Sequence, residues 1–303
     1  GMKWSDGHPF TSADFQWWYD NHLMNKNITP SPGRMWTTGT ERTPVKLTTP
    51  DDFTVVMTFA HPYPLFILNM AQSRPVQPGH YLKQFHGDLT DDKAALDKLV
   101  KEKGFNVWPA LYDQQQYWFH NPELPSVNPW VAGNELSSEL FVMVRNPYFW
   151  QVDEAGNQLP YIDKVIHRLF TTVDTFNMWI IGGEIDYQAR HVDAANITLF
   201  KENEAKGDYK VYWAAADSTA SFVINHTIED PNKRAFFQNR DVRLALSYAI
   251  NREEINDLVY DGIYIPRQYS PPSNSPQYYP KLTNAYIEYD PDKANALLDK
   301  AGY

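Results

Sequence analysis

The 303-residue sequence has no cysteine. That excludes disulfides, thiol nucleophiles, and zinc or iron–sulfur sites built on Cys. No apolar run approaches the roughly 18 residues that a membrane-crossing helix needs. The opening GMKWSDGHPF carries no apolar signal-peptide core. Cations are in the minority: 27 Lys and Arg stand against 37 Asp and Glu, a net charge of −10. Phosphate recognition needs clustered cations, so this balance argues against a nucleic-acid partner, and an acidic surface aids solubility. The phosphate loop G-x-x-x-x-G-K-[ST] is missing, as is the G-x-S-x-G of serine hydrolases. His61, His80, His86, His120 and His191 show no H-x-x-x-H pairing and read as isolated surface or turn residues. No cofactor is implied, and a nickel or zinc site assembled from distant histidines stays open.

What is present is a hydrophobic fraction of 43%, ordinary for a folded chain long enough for about two domains. Aromatic residues reach 15%, with 10 Trp and 19 Tyr. Core packing accounts for most of them; the remainder are suited to lining a pocket, because Trp and Tyr combine a rigid apolar face with a polar edge.

Element signals alternate irregularly. Thr11 with Asp14 predicts a capped helix carrying Phe15, Trp18, Tyr19 and Leu23 on one face. Thr54 to Ala60 reads as a strand, and Asp91 to Lys103 as a helix stopped by Gly104. The proline-broken NPELPSVNPW (residues 121–130) precedes an expected domain boundary. Leu140 to Val144 and Val165 to Phe170 read as strands, with Gly156-Asn157 supplying a turn between them. Thr172 to Ile181 and Asp193 to Glu204 read as helices, then Tyr209 to Trp213 and Ser221 to Asn225 as strands. Asp241 to Ile250 is strongly helical; Asn251 with Glu254 and Asp290 with Pro291 start two more helices.

Five segments, in order along the chain, resemble the family 5 extracellular solute-binding proteins of ABC transporters. Gly1 to Phe15 is similar to that family's K-W-S-D-G-x-P-x-T-A-x-D. Arg145-Asn146-Pro147-Tyr148-Phe149-Trp150 is similar to R-N-P-x-Y-W, and Gly183-Glu184-Ile185-Asp186 to G-E-I-D. Asp241 to Glu254 resembles V-R-x-A-L-x-x-A-I-D-R-E-x-I, with Asn251 where Asp is usual. Tyr289 to Tyr303 resembles Y-D-P-x-K-A-x-x-L-L-x-x-A-G-Y. One departure bears on specificity: Pro129 to Leu136 (PWVAGNEL) stands where many peptide-binding members carry G-T-G-P-Y/F, which leaves an oligosaccharide ligand open.

The resemblance implies an α/β fold of the two-lobed periplasmic-binding class. Residues 1–134 would form an accessory domain of the first lobe, 135–219 its central part, and 220–303 the start of the second lobe. An export signal would precede these residues and most of the second lobe would follow them. It implies a substrate-binding component of an ABC importer, periplasmic or a cell-surface lipoprotein, monomeric, with a membrane permease as partner. The small-molecule solute, an oligopeptide or oligosaccharide, would lie in a cleft between the lobes. The expected ligand contacts are Trp130, which follows the rigid proline turn, and Phe222 and Asn225, on a strand that in the family borders the cleft. Locally, Asp6-Gly7 and Thr11 shape the opening turn and helix, Tyr148 and Trp150 pack beneath the strand end, and Arg240, Arg243 and Arg252 pair with Asp241, Glu253 or Glu254 on a solvated face.

Two other classes stay open. A carbohydrate hydrolase needs two carboxylates about 5–10 Å apart across a bond, and the adjacent Asp153 and Glu154 point to opposite sides of an extended chain. A ligand-sensing or protein-interaction module on the same fold would bind a partner without solute.

Overall fold

In the computed structural model, which describes residues 1–213 and 221–303, the chain divides into a unit spanning Gly1–Leu169 and a second spanning Phe170–Tyr303.

The first unit opens with helix α1 (Ser12–Trp18), capped reciprocally. The Thr11 hydroxyl accepts from the Ala13 N–H, and the Asp14 carboxylate accepts from the Thr11 N–H at 2.9 Å. A wider turn, Tyr19–Leu23, extends it. Trp18 and Leu23 are thereby buried against Val45 and Leu47, with Trp36 and Met57 at the edges. Two antiparallel ribbons supply that wall: β1 (Thr37–Thr38) with β2 (Thr43–Pro44), and β3 (Lys46–Asp51) with β4 (Thr54–Thr58), where Leu47 faces Met57. The sequence signals β4 and not β3, because K-L-T-T-P-D is polar and broken by proline.

Helices α2 (Phe66–Met70) and α3 (Gly79–Leu82) lead to α4 (Lys93–Glu102) and α5 (Trp108–Gln115). Asp92 caps α4 through the Ala95 N–H at 2.9 Å. Leu96, Val100, Leu111 and Tyr112 close on Leu82 and Phe85 to form the larger core cluster. Full burial of each such side chain contributes about 1.5–3 kcal/mol.

A three-stranded antiparallel sheet completes the unit: β5 (Trp130–Ala132), β6 (Leu140–Arg145) and β7 (Lys164–Arg168), in that spatial order. Phe141 faces His167 and Trp130 faces Arg145. Between β6 and β7 the expected turn forms around Asp153. Its carboxylate accepts from the N–H groups of Ala155 and Asn157, the Asn157 amide and the Tyr161 hydroxyl. Those bonds, the Asn157 side chain first, hold the Asp153 carboxyl down at about 2. In the R-N-P turn the structure corrects one expectation: Phe149 is the buried ring, while Tyr148 and Trp150 are exposed.

The second unit is helical. Thr172 caps α6 (Val173–Ile181), then follow α7 (Ile197–Glu202) and α8 (Glu204–Gly207), with Phe176 and Phe200 buried. Asp230 and Pro231 start α9 (Pro231–Gln238), and Asn239 starts α10 (Arg240–Tyr248). Then come α11 (Arg252–Tyr260), α12 (Pro280–Thr283) and α13 (Pro291–Ala301). Ala245 and Tyr248 of α10 pack on Ala294 of α13, small against large, with Leu297 and Leu298 alongside. Lys300 pairs with Asp241 at 2.8 Å.

Two expectations fail here. Tyr209–Trp213 and Ser221–Asn225 have strand composition but belong to no ladder; among the described residues every paired strand lies in the first unit. A strand is defined by its neighbour, and β-rich composition does not supply one. The arginines also do other work. Arg243 donates to the carbonyls of Phe237 and Gln238, and Arg252 to those of Ser247 and Ile287. Arg240 donates to the Tyr286 hydroxyl. The first two satisfy carbonyls that the ends of α9 and α10 leave open, an outlet a solvated acid does not compete with.

Candidate ligand-binding surfaces

Trp130 begins β5 and is half-buried. Its Nε1–H donates to the Ile162 carbonyl at 2.8 Å, which fixes the ring's orientation and uses its polar edge. What fixes the backbone beneath it is Asn146, fully buried after β6. The Asn146 amide donates to the carbonyls of Asn128 (3.0 Å) and Ser126 (3.3 Å), and its carbonyl oxygen accepts from the Tyr148 N–H at 2.9 Å. The Asn146 N–H donates to Pro129. Three hydrogen bonds thus tie the proline loop to the R-N-P turn, and the Tyr148 bond shapes that turn from within. Ser126 is also held from the chain's start: its carbonyl accepts from the Ser5 N–H, and its own N–H donates to the Ser5 hydroxyl.

The segment that departs from the peptide-type motif has a defined role. Gly133 donates to the Val142 carbonyl, and the Asn134 side chain both accepts from the Val142 N–H and donates to the Leu140 carbonyl, each at 2.8 Å. Asn134 therefore continues the β5 ladder with its side chain. Next to it, Trp118 lies 5.9 Å from the buried Phe141, which stacks with His167.

In the second unit Phe222 is 82% exposed, and Asn225 is exposed as well. Asn225 is committed on one side: its side-chain oxygen accepts from the N–H and hydroxyl of Thr227, an Asx turn. Its NH₂ has no partner among the described residues. Upstream, Glu204 and Lys201 bind each other at 2.8 Å and clasp the backbone of Val211: Glu204 accepts its N–H at 2.7 Å and Lys201 donates to its carbonyl at 3.2 Å. With Tyr209 donating to Phe200, the pair holds the chain so that Tyr212 and Trp213 face solvent. Lys201, whose side chain donates to Glu204, is the first cause keeping the Glu204 carboxyl below its ordinary value.

Trp130 thus stands in one unit, and Phe222 and Asn225 in the other. Neither of two shallow depressions is lined by any of them. One, of about 400 Å³, lies against Lys3, Tyr148 and Trp150; the other, of about 230 Å³, against Tyr269, Ser270 and Gln277. Chemically, the three residues offer two ring faces and one amide, with no charge. Such a set suits C–H faces and hydroxyls, or peptide groups. Among the described residues no group of three or more His, Asp or Glu is arranged to hold a metal, and no helix is long and apolar enough to cross a membrane. Sequence reasoning missed Asn146, Asn134 and the Lys201–Glu204 clasp. The asparagine following a strand and preceding a proline was the one available signal.

The profile described as bacterial extracellular solute-binding proteins, family 5 middle, matches residues 1–303. The chain belongs to this family. A solved oligopeptide-binding protein OppA is similar over 100% of this chain and 48% of its own, at 40% identity and a TM-score of 0.75. The fold is accordingly the mixed α/β fold of the two-lobed periplasmic-binding class. The periplasmic alpha-galactoside-binding protein of Rhizobium meliloti (strain 1021) is 28% identical over 322 residues, covering 100% of this chain and 42% of that protein. The periplasmic binding protein MelB from Agrobacterium fabrum C58, solved with stachyose, shares the fold at 22% identity and a TM-score of 0.63, covering 99% of this chain and 44% of its own. The chain spans about half the length of the curated relatives it matches.

Proposed function

We propose that the protein is the extracytoplasmic substrate-binding component of an ABC importer. It takes up a neutral oligosaccharide or an oligopeptide between two lobes and hands it to a membrane permease, at the periplasmic face or as a surface lipoprotein. It performs no chemistry. The observation that carries this reading is the match of the whole chain to a solute-binding family and, over the same residues, to a protein named for binding alpha-galactosides. Residues 1–134 serve as accessory domain of the first lobe, 135–219 as its central part and 220–303 as the start of the second.

Trp130, Phe222 and Asn225 contribute the ligand contacts. The oligosaccharide is favoured by the uncharged character of this set and by Asn134 and its neighbours standing where the peptide-type motif would be. The oligopeptide reading is supported by the 40% identity to the oligopeptide-binding OppA. Ligand binds the closed arrangement of the lobes more tightly than the open one, and the permease recognises the closed form.

Calorimetry on the full-length protein tests this with two panels, neutral alpha-galacto-oligosaccharides and tri- to pentapeptides. Saturable binding of one panel at micromolar concentration, with no product formed, is the expected result. Turnover of any oligosaccharide, or no binding of either panel, overturns it.

A further inference from the structure

Two histidines in the interior of the first unit have no part in the proposed binding surface. His86 ends the turn after α3 and is fully buried, with ring centroids of Trp108 at 4.7 Å, Tyr112 at 5.5 Å and Trp17 at 6.1 Å. Its hydrogen bonds fix the position of its proton. The backbone N–H of Asp88 donates to Nδ1 at 3.3 Å, so Nδ1 is bare; Nε2–H then donates to the Asn21 carbonyl at 3.0 Å, which outweighs the Asn25 amide nitrogen standing farther off at 3.4 Å. This is a neutral imidazole. A proton arriving at Nδ1 replaces an acceptor by a donor facing the Asp88 N–H, breaks that bond and leaves a cation among three rings.

His22 lies in the turn after α1, its ring 6.1 Å from that of Tyr112. Its Nδ1 is buried with no hydrogen-bond partner. An imidazolium carries a hydrogen on both nitrogens, so charging His22 leaves an unpartnered Nδ1–H beside a part-buried charge. The charged groups facing the pair are few. Asp88 acts on His86 and Asp113 on His22, and a charge on either imidazole opposes a charge on the other. Asp88 and Asp113 are both exposed, and the Asp88 carboxylate is already engaged by the amides of Asn25 and Asn27 and lies in the field of Lys93. Tyr112, the ring shared by both, is neutral and bonded to Gln77 at 2.8 Å.

We infer that His22 and His86 form a proton-operated latch on the helical half of this unit: neutral, they let α4 and α5 close on α1, and protonated, they release α4 and α5 while α1 stays with the ribbons. The ribbon half contains no histidine in its core of Trp18, Leu23, Val45 and Leu47, so it stays closed. Burial is the first cause lowering the proton affinity of both rings. A group with a lowered folded value stabilises the fold above its unfolded value, about 6.5, and loses that contribution as pH falls through the folded value. Release therefore belongs to the range below about pH 6.5, where each proton taken up only on opening favours the open form by up to about tenfold per pH unit.

Imidazole proton NMR of the full-length protein, followed from pH 8 to pH 4.5, reads the first half of this. The expected result is two histidine signals that stay at the neutral position while the ordinary ones titrate, then change together with the loss of helix order. Hydrogen exchange reads the second half: protection of residues 93–102 and 108–115, corrected for intrinsic rate, should fall at least about tenfold from pH 7 to pH 5, with residues 46–51 and 54–58 unchanged. In His86→Leu the tenfold fall should shrink. If that variant fails to fold, the wild-type titration decides alone. Every histidine titrating at its ordinary value, or equal loss of protection in both halves, overturns the latch.

Discussion

The buried side chain of Asn146 donates to the carbonyl of Asn128 at 3.0 Å, across a proline-broken loop that no strand or helix supports. The R-N-P motif thereby sets the backbone from which Trp130 projects. Asn146→Leu leaves the Asn128 carbonyl and the Tyr148 N–H without these partners and should cost about 2–3 kcal/mol in urea unfolding. Asn146→Asp should cost at least as much at neutral pH, because it turns a carboxylate oxygen towards two carbonyls. Unchanged stability in both variants would remove Asn146 from this role.

Trp130 and Phe222 should separate binding from folding. Phe222 is mostly exposed, so Phe222→Ala should leave the unfolding midpoint where it is while weakening solute binding about tenfold. Trp130→Phe keeps a ring but drops the bond to Ile162, and should weaken binding less than Trp130→Ala. Calorimetry with the panel that binds the wild type checks both. Equal affinity in all three variants would take these rings out of the site.

Asn225→Asp is the sharper substitution at its position. The Asx turn needs only an acceptor, which Asp retains, so the fold should be unaffected. The NH₂ is lost. Weakened binding with an unchanged melting temperature would assign that donor to the ligand, and unchanged binding would leave Asn225 a turn residue.

Gly183 sits at the end of α6 with φ near +73°, and a Cβ there would meet the Gly207 carbonyl oxygen at 2.5 Å. Gly183→Ala should destabilise the second unit by about 2 kcal/mol or more, backbone strain and collision together. Gly156→Ala, with φ near +84° and open space around it, should cost only about 1 kcal/mol, the strain alone. Chemical denaturation of the two variants side by side makes the comparison.

Tyr112 predicts an alkaline asymmetry. Burial pushes its phenol well above the ordinary value near 10, so it stabilises the fold below that value and ceases to as pH rises towards the folded one. Tyr112→Phe leaves the Gln77 oxygen unpaired and should cost about 1–2 kcal/mol at pH 7. Above pH 10 its stability should fall less steeply than the wild type's. Parallel curves above pH 10 would place ionisation elsewhere.

The fold was legible wherever local chemistry suffices. Thr11 with Asp14, Asp290 with Pro291, and Asn251 with Glu254 start helices because a short side chain close in sequence satisfies an end N–H. The turn between β6 and β7 was legible from Gly156-Asn157, while the Asp153 carboxylate that organises it was not. Legibility stopped where a partner is distant. Tyr209–Trp213 has strand composition, but the backbone of its central Val211 is taken by Lys201 and Glu204. Arg243 and Arg252 have acids beside them in sequence and carbonyls beside them in space. His86 reads as a turn residue until Trp17, Trp108 and Tyr112 arrive from two helices. Around the candidate contacts, the bonds that anchor Trp130 to Ile162 and Asn225 to Thr227 were not visible in the motifs.

The Ser5–Ser126 contact has a consequence for how the chain assembles. It joins residues 121 apart in sequence, so this contact forms only once most of the first unit exists. Closing so long a span carries an entropic penalty that local caps and ribbons do not, and it is met late.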